Sequence, residues 1–479
     1  MKRFLLSLSL LVFSSVQYGF AQTETVAPDP LESALAAARK APRNKVAQRE
    51  AADRLFDAGR YSEAISYYLK SDNSGNLGAA RAAFELYDFE GAREYLSKYL
   101  AKRTKAERER DLASTGDGSD PTDILSAKII LGDDMLGRVE NIQVIDSVNV
   151  PADDFFSWIR LAASAGSIVG TEVVEQIVPA KFIGEEEYIV SPAYLTEEAD
   201  RLFWAKADES DSVTLYESTL LVDGTWGEPV ELFSHASIFD EDADGNLLGH
   251  PFLMPDGVTL YFSADGERSL GGLDIFTSRR DERGFLQPSN VGMPYNSPAN
   301  DYMLAIDEET GIGWWATDRN NLTDSVTIYV FIPSEVRVNY PADKEGLTDL
   351  ARLSSISLTR NPADDHRALL RRIASLQKGN SSRQVNRRKG PDFMLALPDG
   401  RIITRLSDFT SAIARKSMQE YLDADKAYQT SMQHLSSLRE RYAKGDRSVA
   451  SEILQLEKRL EGTKTHLLEL RNQVIDSEI

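Results

Sequence analysis

The 479-residue chain contains no cysteine. That excludes disulfides, thiolate nucleophiles and cysteine-ligated zinc. It also excludes a lipoprotein, whose acyl chain needs a cysteine after the signal, so an exported form is expected to hold together by packing alone. Basic residues are in deficit: 54 Lys and Arg stand against 75 Asp and Glu, a formal charge of −21 at pH 7. A surface of that sign repels phosphate backbones and anionic head groups, so nucleic-acid binding by bulk electrostatics is excluded. Histidine is scarce, with His235, His250, His366, His434 and His466 scattered along the chain. No HExxH, GxSxG or P-loop spacing accompanies them. The expectation is no catalytic residue, no enzyme and no bound cofactor, with His250 before Pro251 in a structural hydrogen-bonding role.

Long apolar runs are missing too, except at the start. Residues 1–21 carry Lys2, Arg3, the run LLSLSLLVF and small residues at Gly19 and Ala21, the signature of a cleaved secretory signal. The run is shorter than the roughly 20 residues a membrane span requires, and no later segment spans. The mature chain is expected from Gln22, in the periplasm or associated with the outer membrane. Its 42% hydrophobic and 27% charged residues suit a globular protein of two to four domains.

Three stretches repeat. RLFWAKA, VTLYFSA and IGWWATD place Trp204, Tyr261 and Trp315 at intervals of 57 and 54 residues. Each is followed by a polar turn and a second strand, VTLYEST, LDIFTSR and VTIYVFI, with the pairs Leu215/Tyr216, Ile275/Phe276 and Ile328/Tyr329. Alternating β-branched and aromatic residues bounded by Gly, Asp and Asn are strand and turn signals, and a period of this length calls for a repeat architecture. A β-propeller satisfies it, because each small sheet hides its faces only against its neighbours; a β-sandwich with accidental likeness is the alternative. Residues 139–186 read as a first, degenerate blade.

The phrases MPDGVTLYFSADG, SLGGLDIF, GFLQPSNVGMPYNSPANDY and GWWATDRN resemble the WD40-like (PD40, TolB-like) propeller repeats of Bacteroidetes envelope proteins, over residues 191–333. That resemblance implies a cell-envelope setting, with some relatives in secretion or outer-membrane assemblies. Many members end in an OmpA-like peptidoglycan-binding domain. Nothing after Pro333 is similar to one, so cell-wall anchoring is not implied.

Around this core the reading is helical. Residues 22–112 carry apolar positions three and four apart. Gly59, Tyr61, Ala64, Ile65 and Tyr68 are answered by Tyr87, Phe89, Ala92, Tyr95 and Leu96, with Tyr61 to Phe89 and Ala64 to Ala92 each 28 residues apart, similar to the small/large packing code of tetratricopeptide (TPR) repeats though shorter than their 34 residues. Tyr61, Tyr68, Phe89 and Tyr95 are thereby candidates for a peptide-binding concave face, unless the helices are a cap on the propeller. Residues 113–138 form a polar linker and short helix. Residues 339–390 are a helical and basic insertion with eight Lys or Arg and no acid between positions 366 and 389, either a solvated linker or a dock for an acidic surface. Residues 391–409 read as a closing hairpin, for about five blades in all. Residues 410–479 read as an antiparallel coiled-coil hairpin, its arms about 45 Å long at 1.5 Å per residue. Leu456, Leu460 and Leu467 lie on its seam as candidates for partner binding or self-association, or for closure of the hairpin on itself.

Asp240, Asp242 and Asp244, followed by Gly245, alternate like a calcium loop, but Pro251 stands at the twelfth position in place of a bidentate glutamate. A solvated acidic turn is the alternative. The functional expectation is a non-enzymatic exported scaffold that binds envelope proteins. The alternative is a propeller whose funnel binds a glycan or peptidoglycan fragment, with Trp158, Trp226 or Trp314 stacking on sugar rings.

Overall fold

The computed structural model describes residues 29–115, 119–184, 186–239, 247–320, 324–334, 336–360, 395–396, 402–403, 405–443 and 447–478. Seven helices precede the first strand: α1 (Pro30–Lys40), α2 (Lys45–Asp57), α3 (Tyr61–Tyr68), α4 (Ser74–Glu85), α5 (Phe89–Leu100), α6 (Lys105–Ala113) and α7 (Pro121–Leu136). Their starts are written in the sequence as acceptor side chains. Asp29, Asn44, Asp88 and Asp120 each accept a first-turn amide, and Thr104 with Glu107 closes a capping box. Small residues let the helices close: a Cβ on Gly78 would sit 2.4 Å from the Tyr68 ring, and one on Gly132 would sit 2.3 Å from that of Phe89. Arg103, nearly buried, ties the end of α5 to Asp111 of α6 and to Asp120 at 2.8 and 2.7 Å.

The strands follow as three antiparallel sheets. The first joins β2 (Ser167–Val169), β3 (Tyr188–Ile189), β4 (Ala193–Leu195), β5 (Arg201–Ala207), β6 (Val213–Thr219) and β7 (Val230–Ser234). The second joins β8 (Leu248–Leu253), β9 (Thr259–Ala264), β10 (Asp274–Asp281), β11 (Gly284–Phe285) and β12 (Ser289–Asn290). The third takes β13 (Asp301–Asp307), β14 (Ile312–Thr317) and β15 (Ser325–Ile332), and is completed by the earliest strand, β1 (Gln143–Pro151), laid antiparallel on β15 from Gln143↔Ile332 to Pro151↔Ser325. All three sheets turn apolar side chains into one shared core, Phe203 and Leu215 from the first, Phe262 and Phe276 from the second, Trp314 and Ile328 from the third.

Two expectations change here. Where about five blades were expected, the described residues form three sheets of this kind, because residues 139–186 make no sheet of their own: β1 joins the third and β2 the first. The pair Leu395–Ala396 and Ile402–Ile403 forms a separate two-stranded sheet, so it is not a closing hairpin of the strand region. It packs instead with Phe409, Ala414, Met418 and Val474 of the C-terminal helices. The repeat alignment also slips by one in the middle copy. Tyr261 does match Trp204 and Trp315, but it lies opposite Thr277, whereas the other two face Tyr216 and Tyr329. Phe276, not Ile275, therefore turns toward the shared core alongside Leu215 and Ile328, since a one-residue shift in a strand exchanges its faces.

Two long helices, Ala412–Ala443 and Ala450–Glu478, form the C-terminal hairpin, the first about 48 Å long for its 32 residues. Leu456 and Leu460 pack with Leu435, Leu438 and Val449, and Leu467 is buried too. A clasp closes the open end: Glu478 accepts from Thr410 N and Oγ1 at 2.9 and 2.6 Å and from Ser411 N at 2.9 Å. Among the described residues, no helix is long and apolar enough to cross a membrane.

Candidate binding cavity

The helical and strand regions meet in one apolar cluster. Phe84, Tyr87, Phe89, Leu96 and Ile129 from the helices enclose Leu270 and Met293 from strand loops, with Leu347 and Ala351 of a short helix, α8 (Leu347–Arg352). Beside this cluster lies a cavity of about 630 Å³, within the range of clefts that enclose small ligands.

One wall is made of two equivalent helix turns. Both α2 and α4 end by stepping into left-handed backbone, at Gly59 (φ 69°) and at Tyr87 (φ 60°), 28 residues on. In each the next amide reaches back to the helix, Arg60 N to Leu55 O at 2.8 Å and Asp88 N to Ala83 O at 2.9 Å, which satisfies carbonyls the helix end would otherwise orphan. Glycine takes this conformation freely; a tyrosine gives up roughly 1 kcal/mol to adopt it. Tyr87 is held there by burial, its ring 6.0 Å from Phe89 and 6.0 Å from the Arg352 guanidinium carbon. The opposite wall is strand-derived, with Pro298, Ala299, Asp318, Arg319 and Asn320, and Arg352 from α8.

Most charges in these walls are already partnered. Arg60 grips Glu63 through two bonds at 2.8 and 2.7 Å, which holds the Glu63 carboxyl below its ordinary range. Asp318 accepts from Asn300 N and Nδ2, both at 2.8 Å, and from the Tyr302 hydroxyl at 2.9 Å. Arg319 is spent on Asp301 at 2.8 Å and on the carbonyls of Pro294 and Tyr295. Two groups differ. Among the described residues the Glu85 carboxylate accepts no hydrogen bond and the Arg352 guanidinium donates none. Burial pushes the pKa of Glu85 up to about 7, with Lys128 the cation that opposes the rise. The Lys128 amine is itself bonded to the Gly271 carbonyl and its pKa is lowered by burial.

A stability test follows. A carboxyl whose pKa rises on folding costs nothing while it is protonated in both states, and its cost grows as pH climbs from the ordinary value of 4.5 through about 7. Glu85→Gln is expected to remove that pH-dependent loss. Relative to the wild type it should gain about 2 kcal/mol between pH 4.5 and pH 8, allowing for partial contact with solvent. Thermal unfolding of both proteins at both pH values measures it; a difference that does not change with pH would contradict the assignment.

The residues singled out from sequence lie mostly elsewhere. Tyr61 lines the cavity, half-buried, its ring 5.1 Å from Phe56. Tyr68 and Phe89 are core residues, at 4% and 1% exposure, and the Tyr68 hydroxyl donates to Asp53. Tyr95 is half-buried under Lys98. Leu456, Leu460 and Leu467 are taken up by the hairpin seam. Of the tryptophans, Trp314 is 2% exposed in the shared core, Trp226 packs beside Trp204 in the first sheet, and Trp158 alone is well exposed, at 38%. Trp314 is therefore not available to stack on a sugar ring. Asp240, Asp242 and Asp244 lie outside the described residues, and among those described no group of three or more His, Asp or Glu gathers as a metal set. His250 bonds Ser263 Oγ through Nδ1 at 2.8 Å, between the rings of Phe155 and Tyr302, and desolvation lowers its pKa to about 4.

Glu85, Tyr87 and Arg352 were not singled out from sequence. One signal was present: the tyrosine at position 87 stands where the 28-residue offset puts a glycine, Gly59. No protein-family model, no curated protein and no solved structure matches the chain.

Proposed function

We propose that the chain is a non-enzymatic, exported scaffold of the bacterial cell envelope that binds a segment of another protein in the cavity between its helices and its sheets. On this reading residues 1–21 are the secretory signal, the paired helices are TPR-like, and the three sheets are PD40-like blades of a propeller-type ring joined by β1 on β15. The observation that carries it is the cavity itself. Two repeat turns, one of them strained at Tyr87, meet strand loops around a carboxylate and a guanidinium that have no hydrogen-bond partner among the described residues. Such groups are satisfied when a polar ligand enters.

The test is affinity capture from envelope extracts with the full mature chain and with Ser62→Trp. Ser62 is exposed at the cavity rim, so an indole there fills the opening without entering the core. A discrete protein held by the wild type and lost from the variant is the expected outcome. Equal capture by both sinks the cavity reading. Retention of both on purified cell-wall polysaccharide, with no protein bound, moves the function to glycan binding.

A further inference from the structure

We propose that the cavity receives a lysine side chain of the bound segment, its ammonium set against the Glu85 carboxylate beside the rings of Tyr61 and Tyr87; this rests on the scaffold reading above. The geometry favours a cation at this position. Glu85 is the one carboxylate on the cavity wall without a hydrogen-bond donor among the described residues, since Glu63 is bound by Arg60 and Asp318 by Asn300 and Tyr302. The nearest internal cation, Lys128, is held on the Gly271 carbonyl and also faces Asp274 and Asp265. Tyr61 belongs to the same surroundings: burial first, then the Glu85 charge, raises its pKa. Aromatic faces next to a desolvated carboxylate form a site for an ammonium group, which gains from the ring quadrupole as well as from the counter-charge. The strain held at Tyr87 fits the same purpose, since left-handed backbone at a non-glycine residue persists where a site needs it. Arg352, over the Tyr87 ring, is left to donate to a carbonyl or carboxylate oxygen of the same segment.

The proposal makes affinity depend on pH with a definite sign. Glu85 carries its proton below about pH 7 when the cavity is empty, and an ammonium ligand must displace that proton. Binding should strengthen as pH rises from 6 to 8, by about tenfold for a single group whose ionised fraction rises from about 0.09 to 0.91. The ligand's own amine, with an ordinary pKa near 10.4, stays charged throughout. The groups facing Glu85 are Lys128 from α7, Tyr61 from α3, and Tyr87 beside it, with Arg60, Glu63 and Arg352 farther along the walls. The tyrosines, raised by burial, stay neutral across this range, which leaves Lys128 as the one competing source of a slope.

The experiment uses the full mature chain and two capped probes, acetyl-Ala-Lys-Ala-amide and its norleucine counterpart, titrated by NMR at pH 6 and pH 8 against wild type and Glu85→Gln. The expected result is binding of the lysine probe alone, about tenfold tighter at pH 8, with both affinity and slope lost in Glu85→Gln. Equal binding of the two probes overturns it. So does tighter binding at pH 6, which would mean a neutral carboxyl donating to the ligand, or a slope that survives in Glu85→Gln and so belongs to Lys128. If the lysine probe fails while Ser62→Trp still abolishes protein capture, the scaffold reading stands and the lysine assignment falls.

Discussion

Replacing Arg319 with methionine is expected to destabilise the protein by about 3–5 kcal/mol, the usual loss when one half of a buried ion pair is removed. Arg319 and Asp301 are 4% and 0% exposed at their side chains and meet at 2.8 Å. The guanidinium also donates to the carbonyls of Pro294 at 2.8 Å and Tyr295 at 2.5 Å and to Thr317 Oγ1 at 3.2 Å. It is therefore the joint between the loop that leads into β13 and the end of β14. Methionine fills part of the volume, so the loss is electrostatic: Asp301 would keep the Thr317 side chain and Ser297 N and Oγ, the latter two at 2.7 and 2.8 Å, but no counter-charge. A charge left this way in a dry interior costs more than the pair was worth. The double variant Asp301→Asn/Arg319→Met should accordingly recover a good part of the loss, because no orphan charge remains. Urea unfolding followed by tryptophan fluorescence reports it, since Trp315 is fully buried in the neighbouring strand. A loss under about 1 kcal/mol for Arg319→Met, or a double variant worse than both singles, would contradict the account.

What could be seen in the sequence follows from how local each feature is. The helix starts were legible because caps are decided within four residues, as at Thr104 and Glu107. The first strands of the repeats were legible because Trp204, Tyr261 and Trp315 share one face and recur at similar intervals of 57 and 54 residues. The slip at Phe276 was not: an apolar-aromatic pair reads the same in either register, and only the partner strand decides which member faces inward. The pairing of β1 with β15 joins residues nearly two hundred positions apart, and no short-range pattern announces it. The cavity was hidden for the same reason, since its walls come from α2 to α4, from loops near 299 and 319, and from α8. Burial also redirected residues chosen for their chemistry. Tyr68 and Phe89 each lie against a glycine of a neighbouring helix, Gly78 and Gly132, and side chains that fill such gaps are used up in the packing.

The SLGGLDIF phrase shows the same conversion, and Gly271→Ala should expose it through a loss of about 3 kcal/mol or more. Leu270, fully buried, inserts among the helices, while Asp274 gathers the amides of Leu270 and Gly271 at 2.9 and 3.2 Å and the Asn290 amide at 2.7 Å. Between them Gly271 passes so close to the next loop that a Cβ would lie 1.9 Å from Ala299 O and 2.6 Å from Ser297 O. Those are backbone atoms, and the loop carrying them cannot retreat easily. Ser297 is held by Asp301, Asn300 N is held by Asp318, and Gly272 N is bonded to Ala299 O itself at 3.3 Å. On its other side the Gly271 carbonyl accepts from Lys128 of α7. One methyl group is thus asked to push apart the contact through which helices and sheets are joined, an overpacking cost at or above the usual range of about 1–3 kcal/mol. Gly257→Ala is the control. That glycine has φ 68° but no atom within 4 Å of a built Cβ, so it should lose only the roughly 1 kcal/mol of left-handed backbone strain. If both variants unfold at the same temperature, the close approach at Gly271 is not what holds the junction; a much larger drop for Gly271→Ala, with faster proteolysis between α7 and the strands, is the result expected of a structural joint.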